Sequence, residues 1–100
     1  MLYEIDGVKF LKLDTYDGIR LFRIRDIVSI GIGRRRVRGP HAQWVNMPQE
    51  EIDRDKRENF EECTIVVLDK HFNPGINGGG YPQVYVRDTL DSILKVMIAY

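Results

Sequence analysis

The sequence predicts an α+β domain: an antiparallel β-sheet of about six short strands with a C-terminal amphipathic helix. Three observations carry that expectation. β-forming runs at 2–5, 8–13 and 19–25 are separated by Asp6-Gly7 and Asp17-Gly18, the two-residue signature of a tight hairpin. A β-branched run follows Cys63 up to Leu68, as expected of a strand buried on both faces. Leu90, Ile93, Leu94, Met97 and Ile98 recur at helical spacing and lay one apolar stripe along a helix.

Taken in order, the three N-terminal runs form a meander, and 27–32 reads as its fourth strand after a break at Asp26. The segment 48–59 is rich in charged residues that tolerate a helix. Pro48 suits a first turn, and Glu50 and Glu51 suit the positive end of a helix dipole. Ile52 is its one apolar residue, so it reads either as a solvated second helix or as a loop, with Phe60 pinning its end. After the strand at 63–68, the stretch 69–82 holds Asn73-Pro74-Gly75 and three glycines at 78–80, which is loop material. The run 83–86 is the last strand and pairs back on 65–68. Asp88 or Thr89 then caps the C-terminal helix.

One hundred residues make one domain with a modest core, for which oligomerisation is a natural way to bury more surface. With 43% hydrophobic and 30% charged residues the chain has the balance of a folded soluble protein. No apolar run has the length of a membrane span, and the N-terminus lacks a basic region followed by an apolar stretch. The lone cysteine, Cys63, excludes an internal disulfide and fits a reducing compartment. The expected location is the cytoplasm, of a bacterium or of a phage-infected host cell.

The net charge is zero, yet it is unevenly spread. Residues 34–46 hold four arginines and no acid, whereas 47–62 hold seven acids and three bases. A basic block followed by an acidic one makes a nucleic-acid partner unlike the usual case, in which the whole domain is basic.

The arginine run, Arg34, Arg35, Arg36 and Arg38, is the leading candidate for a binding site. Guanidinium groups fork onto phosphate or carboxylate oxygens and stack on planar bases, which suits a small anionic nucleotide ligand. Gly33, Gly39 and Pro40 bracket the run and place it at a strand end entering a loop. The competing reading is a solvated basic loop that neutralises the acids of 50–62. Arg87 is a second candidate. It precedes the cap of the last helix, where an anion at the helix end would account for a positive side chain. Otherwise it points outward and pairs with Asp88 or Asp91. Trp44, Phe60, Phe72 and Tyr81 are anchors or base-stacking platforms, with Phe60 the preferred platform.

No catalytic residues are expected. His41 and His71 lie near loop breakers without a nucleophile motif, and neither HxxxH nor CxxC spacing occurs, so no metal and no cofactor are implied. The glycines of 75–80 precede Tyr81-Pro82 rather than Lys and Ser/Thr. They form a strand connection or a ligand-closing lid, not a phosphate-binding P-loop.

Two resemblances add to this reading. Phe10-Leu-Lys-Leu13, Gly18, Ile27-Val-Ser-Ile30, Ile65-Val-Val-Leu68 and Val84-Tyr-Val86-Arg-Asp-Thr-Leu-Asp-Ser-Ile-Leu94 resemble the small flagellar FlbD/SwrD family over about half the chain. That likeness implies compact strands, a strand leading into a C-terminal helix, and an interaction module in flagellar motility. The remaining segment, 34–62, has no counterpart in that pattern. With Arg35 in it, Phe60 before a strand and Arg87 at the last helix, the chain also resembles phage anti-Thoeris sponge proteins. Such proteins sequester cyclic ADP-ribose-type signals of host defence without catalysis, and they assemble as homo-oligomers. The resulting expectation is a non-enzymatic sponge for a phosphate-bearing nucleotide signal. The alternatives are a flagellar or phage-structural interaction module and, third, a nucleic-acid binder.

Overall fold

The first hairpin joins β1 (Leu2–Ile5) to β2 (Val8–Thr15) through Asp6 and Gly7, at φ 51° and 77°. Both turn residues have positive φ, as the twist of a two-residue hairpin demands. In this computed structural model the described residues are 1–39, 44–69 and 81–98. The second hairpin, from β2 to β3 (Gly18–Arg23), turns one position earlier than the sequence suggested. Thr15 pairs with Gly18, so the turn residues are Tyr16 and Asp17. The buried Thr15 hydroxyl sets this register: it donates to the Gly18 carbonyl at 2.6 Å and accepts from the Asp17 amide at 3.1 Å.

The meander ends at β3. A 3₁₀ turn over Ile24–Asp26 redirects the chain, and β4 (Ile27–Arg36) pairs with β5 (Phe60–Leu68) instead of continuing beside β3. Buried Asp26 holds the corner. Its carboxylate accepts from Arg23 Nε at 2.9 Å, and its carbonyl accepts from the Asp69 amide at 2.8 Å. Strand β4 runs further than the expected 27–32, so the arginine run does sit at a strand end, with Arg34, Arg35 and Arg36 inside the strand and Arg38 beyond it. The hairpin of β5 with β6 (Gln83–Val86) forms as expected, in the register Thr64 to Val86 through Val67 to Gln83.

These pairs make one six-stranded antiparallel sheet, and the fold is α+β. Leu11 pairs with Leu2 on one side and Phe22 on the other, while Thr15 pairs with Gly18 and with Val86. Strands β1 and β6 therefore share one edge of β2, and β3 occupies the other. Strand β4 ends the sheet beyond β5.

Directly opposed residues of antiparallel strands share a face. Leu11, Leu13, Phe22, Val66, Leu68 and Val86 lie on one such face and are buried there with Ile93 of α2 (Leu90–Ile98). Thr89 caps α2, its Oγ1 accepting from the Ser92 amide at 3.1 Å. The helix meets the core through Ile93, Val96 and Met97. Leu94 and Ile98, both part of the expected stripe, stay exposed, because a narrow i, i+3, i+4 contact suffices to seat a nine-residue helix. The segment 48–59 does form a helix, α1 (Gln49–Asn59), with no fully buried residue. Among the described residues no helix is long and apolar enough to cross a membrane. His41, His71, Phe72 and the glycine-rich connection at 75–80 fall outside the described residues.

Candidate functional site

Alternation along β4 sorts the arginines. Arg34 stands opposite Glu62 and Arg36 opposite Phe60, on one face, whereas Arg35 stands opposite Glu61 and points to the other. The first face is the one α1 docks on.

Arg36 makes a two-pronged contact with Asp55 of α1, Nη1 to Oδ1 at 2.9 Å and Nη2 to Oδ2 at 2.5 Å. The same carboxylate accepts from Trp44 Nε1 at 2.8 Å and from Asn59 Nδ2 at 2.6 Å. Four donor contacts on one carboxylate favour its charged form. The Arg36 guanidinium foremost, then the Asn59 amide and the Trp44 indole, hold Asp55 well below the usual carboxylate range, and Arg36 is pushed up in return. Phe60 completes this cluster. The Arg36 guanidinium lies 4.8 Å from its ring centre and Trp44 packs at 6.0 Å, tilted by 38°.

Arg34 and Arg38 finish the helix. The last carbonyls of a helix lack intrahelical partners and carry partial negative charge. Arg34 Nη2 donates to the Lys56 carbonyl at 3.0 Å, and Arg38 donates to the Glu58 carbonyl from Nε and Nη2 at 3.1 and 2.7 Å. The Asn59 carbonyl accepts from the Val37 amide at 2.7 Å. Arg34, Arg36, Arg38 and Phe60, expected to line a ligand site, thus anchor α1 to the end of the β4–β5 ribbon. The competing reading, a solvated basic loop that neutralises the acids of 50–62, has its close ion pair in Arg36 with Asp55; Arg34 and Arg38 bond helix carbonyls instead.

Arg35 and Arg87 do come together. Both guanidinium groups lie over the ring of Tyr16, with Arg35 at 3.8 Å from its centre and Arg87 at 4.3 Å. The two cations are therefore within about 8 Å of each other. Among the described residues neither has a carboxylate within ion-pair distance. The acids expected to pair with Arg87 are engaged elsewhere: Asp91 pairs with Lys95 at 3.0 Å, and Asp88 Oδ2 accepts from the Asp14 amide at 2.8 Å. The Arg87 amide donates to the Asp14 carbonyl at 2.7 Å, which fixes its backbone against the end of β2.

Tyr16 is the wall between two depressions. One, of about 190 Å³, is bordered by Ile32, Thr64, Arg87 and the start of α2, with Asp88 and Thr89 before it and its first residue Leu90. The other, of about 210 Å³, is bordered by Arg20, Arg35, Gln83 and Tyr85. Glu62 and Asp88 also line the first and Asp17 the second, so each depression holds both signs of charge. Cys63 also borders the first depression. Burial pushes its thiol up, and the nearby Arg35 charge opposes that. Tyr16, Arg20 and Tyr85 were not singled out from the sequence. The one sequence signal for Tyr16 is an aromatic ring beside a tight turn.

Compared with known proteins, the chain matches no family model, no curated protein and no solved structure.

Proposed function

We propose that this protein is a non-enzymatic binder of a phosphate-bearing nucleotide, held by Arg35 and Arg87 across Tyr16. The reading rests on one observation: two guanidinium groups gathered on a single aromatic ring, without an acid partner among the described residues. Like charges brought this close repel unless an anion offsets them. A phosphate between the arginines does so with forked, charge-assisted hydrogen bonds. The depressions on either side of Tyr16 give room for a phosphate on one side and a base or sugar on the other. Cyclic ADP-ribose-type signals belong to this ligand class, and sequestering one in the cytoplasm requires only tight binding, with no turnover.

Calorimetry of the protein at about 50 µM, a concentration suited to a micromolar binder, against ADP-ribose, its cyclic isomers and cyclic dinucleotides tests this. At least one phosphate-bearing ligand gives heat while the matching nucleosides give none. Absence of heat with all of them overturns the reading. Uptake of arbitrary DNA with a steep salt dependence would instead mark a nucleic-acid binder.

A further inference from the structure

Helices α1 and α2 lie against the core-bearing face of the sheet, and the register places a second, largely apolar face on β1, β2 and β3. Tyr3 opposes Phe10, Ile5 opposes Val8, Lys12 opposes Leu21 and Asp14 opposes Ile19. These residues alternate with the core residues Leu11, Leu13 and Phe22, so they point away from the core. A solvated sheet face is ordinarily polar. Here Ile19 is 65% exposed, Leu21 49%, Ile5 48% and Tyr3 39%, with Phe10 and Val8 half-buried between them.

We infer that this face is a homodimer interface in which two copies pack sheet to sheet. Three arguments select a second copy as its occupant. The first is area. At roughly 200 Å² for a fully exposed side chain of this size, Tyr3, Ile5, Ile19 and Leu21 present on the order of 400 Å². Two such faces remove roughly 800 Å² from water before Phe10, Val8, Met1 and the stem of Lys12 are counted, which approaches the ~1,200 Å² at which stable interfaces begin. The second is self-complementarity. Lys12 and Asp14 sit two residues apart on β2, on this face, and neither has an ion-pair partner among the described residues. A two-fold axis lying between the sheets, across β2 at the level of Leu13, brings Lys12 over the partner's Asp14. The same rotation brings Leu21 over the partner's Ile19, because Leu21 is registered with Lys12 and Ile19 with Asp14. One symmetry operation therefore matches charge with charge and apolar with apolar. The third is the shape of the chain. Its radius of gyration is 16.1 Å and its shortest extent 20 Å, against about 13 Å for the radius of gyration of a compact chain of this length. A thin sheet with a small core gains a second layer by association. Tyr16 and Arg35 lie on this same face, and the rotation carries the partner's Phe10 toward Tyr16, so the dimer borders the nucleotide site; measuring association without ligand keeps the two readings distinguishable.

Sedimentation equilibrium of the full chain from about 1 to about 200 µM, which brackets micromolar association, tests it. The unaltered protein dimerises, and the double variant Ile19→Lys with Leu21→Lys raises the dissociation constant at least about tenfold. Ile98→Lys, on exposed α2, leaves it unchanged. Lys12→Asp and Asp14→Lys each weaken the dimer, and mixing these two variants restores association, now as a heterodimer. Far-UV circular dichroism checks that the variants fold, and if the double lysine variant does not, the charge pair carries the test. A monomer throughout the range, undiminished dimerisation of the folded double lysine variant, or no recovery on mixing overturns the proposal.

Discussion

Replacing Arg87 by alanine separates a binding role from a structural one. In the free protein the guanidinium of Arg87 stacks on Tyr16 at 4.3 Å, with Arg35 on the same ring at 3.8 Å. Each such contact at an exposed site is worth about 0.5–1 kcal/mol. Two unit charges at the limit of about 8 Å repel by about 0.5 kcal/mol in water and about 2 kcal/mol at an effective dielectric of 20, and by more if closer. Salt screens that repulsion over a Debye length of about 8 Å. Attraction and repulsion nearly cancel, so Arg87→Ala shifts the unfolding free energy by less than about 1 kcal/mol. With a phosphate bound, the repulsion is offset and each arginine contributes a charge-assisted hydrogen bond worth about 1.5–3 kcal/mol. Losing one then weakens binding about 10- to 150-fold. Arg87→Lys recovers part of this, since it keeps the charge without the planar fork. Urea unfolding monitored through Trp44 gives the first quantity and calorimetry with the bound nucleotide gives the second. A loss of stability above about 2 kcal/mol, or an affinity within about twofold of the unaltered protein, would refute the reasoning.

Two further outcomes follow from the α1 anchor and from Cys63. The folded-state pKa of Asp55 is depressed below its unfolded value of about 3.9, so on acidification the unfolded chain takes up the proton first. The stability that this carboxylate contributes is complete above about pH 5 and is lost as the pH falls through its folded pKa. Asp55→Asn should lower the melting temperature at pH 7, red-shift the emission of Trp44, and flatten the acid limb of the stability curve. An unchanged acid limb would show that Asp55 is not the group titrating there. Cys63 is buried and its thiol is pushed up, so a disulfide-forming reagent at pH 8 should modify it at least about tenfold faster in urea than in buffer. Equal rates in the two conditions would contradict its burial.

The sheet was legible in the sequence wherever a local rule decides the structure. Asp6-Gly7 fixes its hairpin because both residues must take positive φ, and the β-branched run after Cys63 is a strand because it is apolar on both faces. The second turn was misplaced by one residue because the Thr15 hydroxyl, and not Gly18, sets its register. The end of the meander was not legible, since it depends on Asp26 and Asp69 meeting across the chain. Period-two alternation separates Arg35 from Arg34 and Arg36 without any structure, provided β4 is extended through Arg36. Gly33, with Gly39 and Pro40 beyond the arginines, hid that extension. Gly33 is nevertheless tolerated inside the strand, because Ile65 lies over it where a Cβ would stand. Tyr16 gave no signal of its role. It meets Arg87 only because the end of β2 pairs with the end of β6, at Thr15 and Val86.

The zero net charge now carries a different meaning. Read as a total, it argues against a cationic site, because the excess of seven acids over three bases in 47–62 matches the four arginines of the run. The structure assigns those charges individually. Asp55 takes Arg36, the helix carbonyls take Arg34 and Arg38, and Glu61 reaches Arg38 only at 3.8 Å with both side chains exposed, a pair of small energetic weight. Arg35 is the residue of the run that alternation turns to the other face, away from α1. There it meets Arg87, whose neighbouring acids are bound to a lysine and to a backbone amide. On Tyr16 the two guanidinium groups have no ion-pair partner among the described residues, while Glu62, Asp88 and Asp17 line the flanking depressions. Electrostatic attraction for a small anion depends on that local arrangement, since the screening length in physiological salt is about 8 Å, well short of the molecule's 52 Å length. A neutral domain can in this way gather two positive charges at one place on its surface.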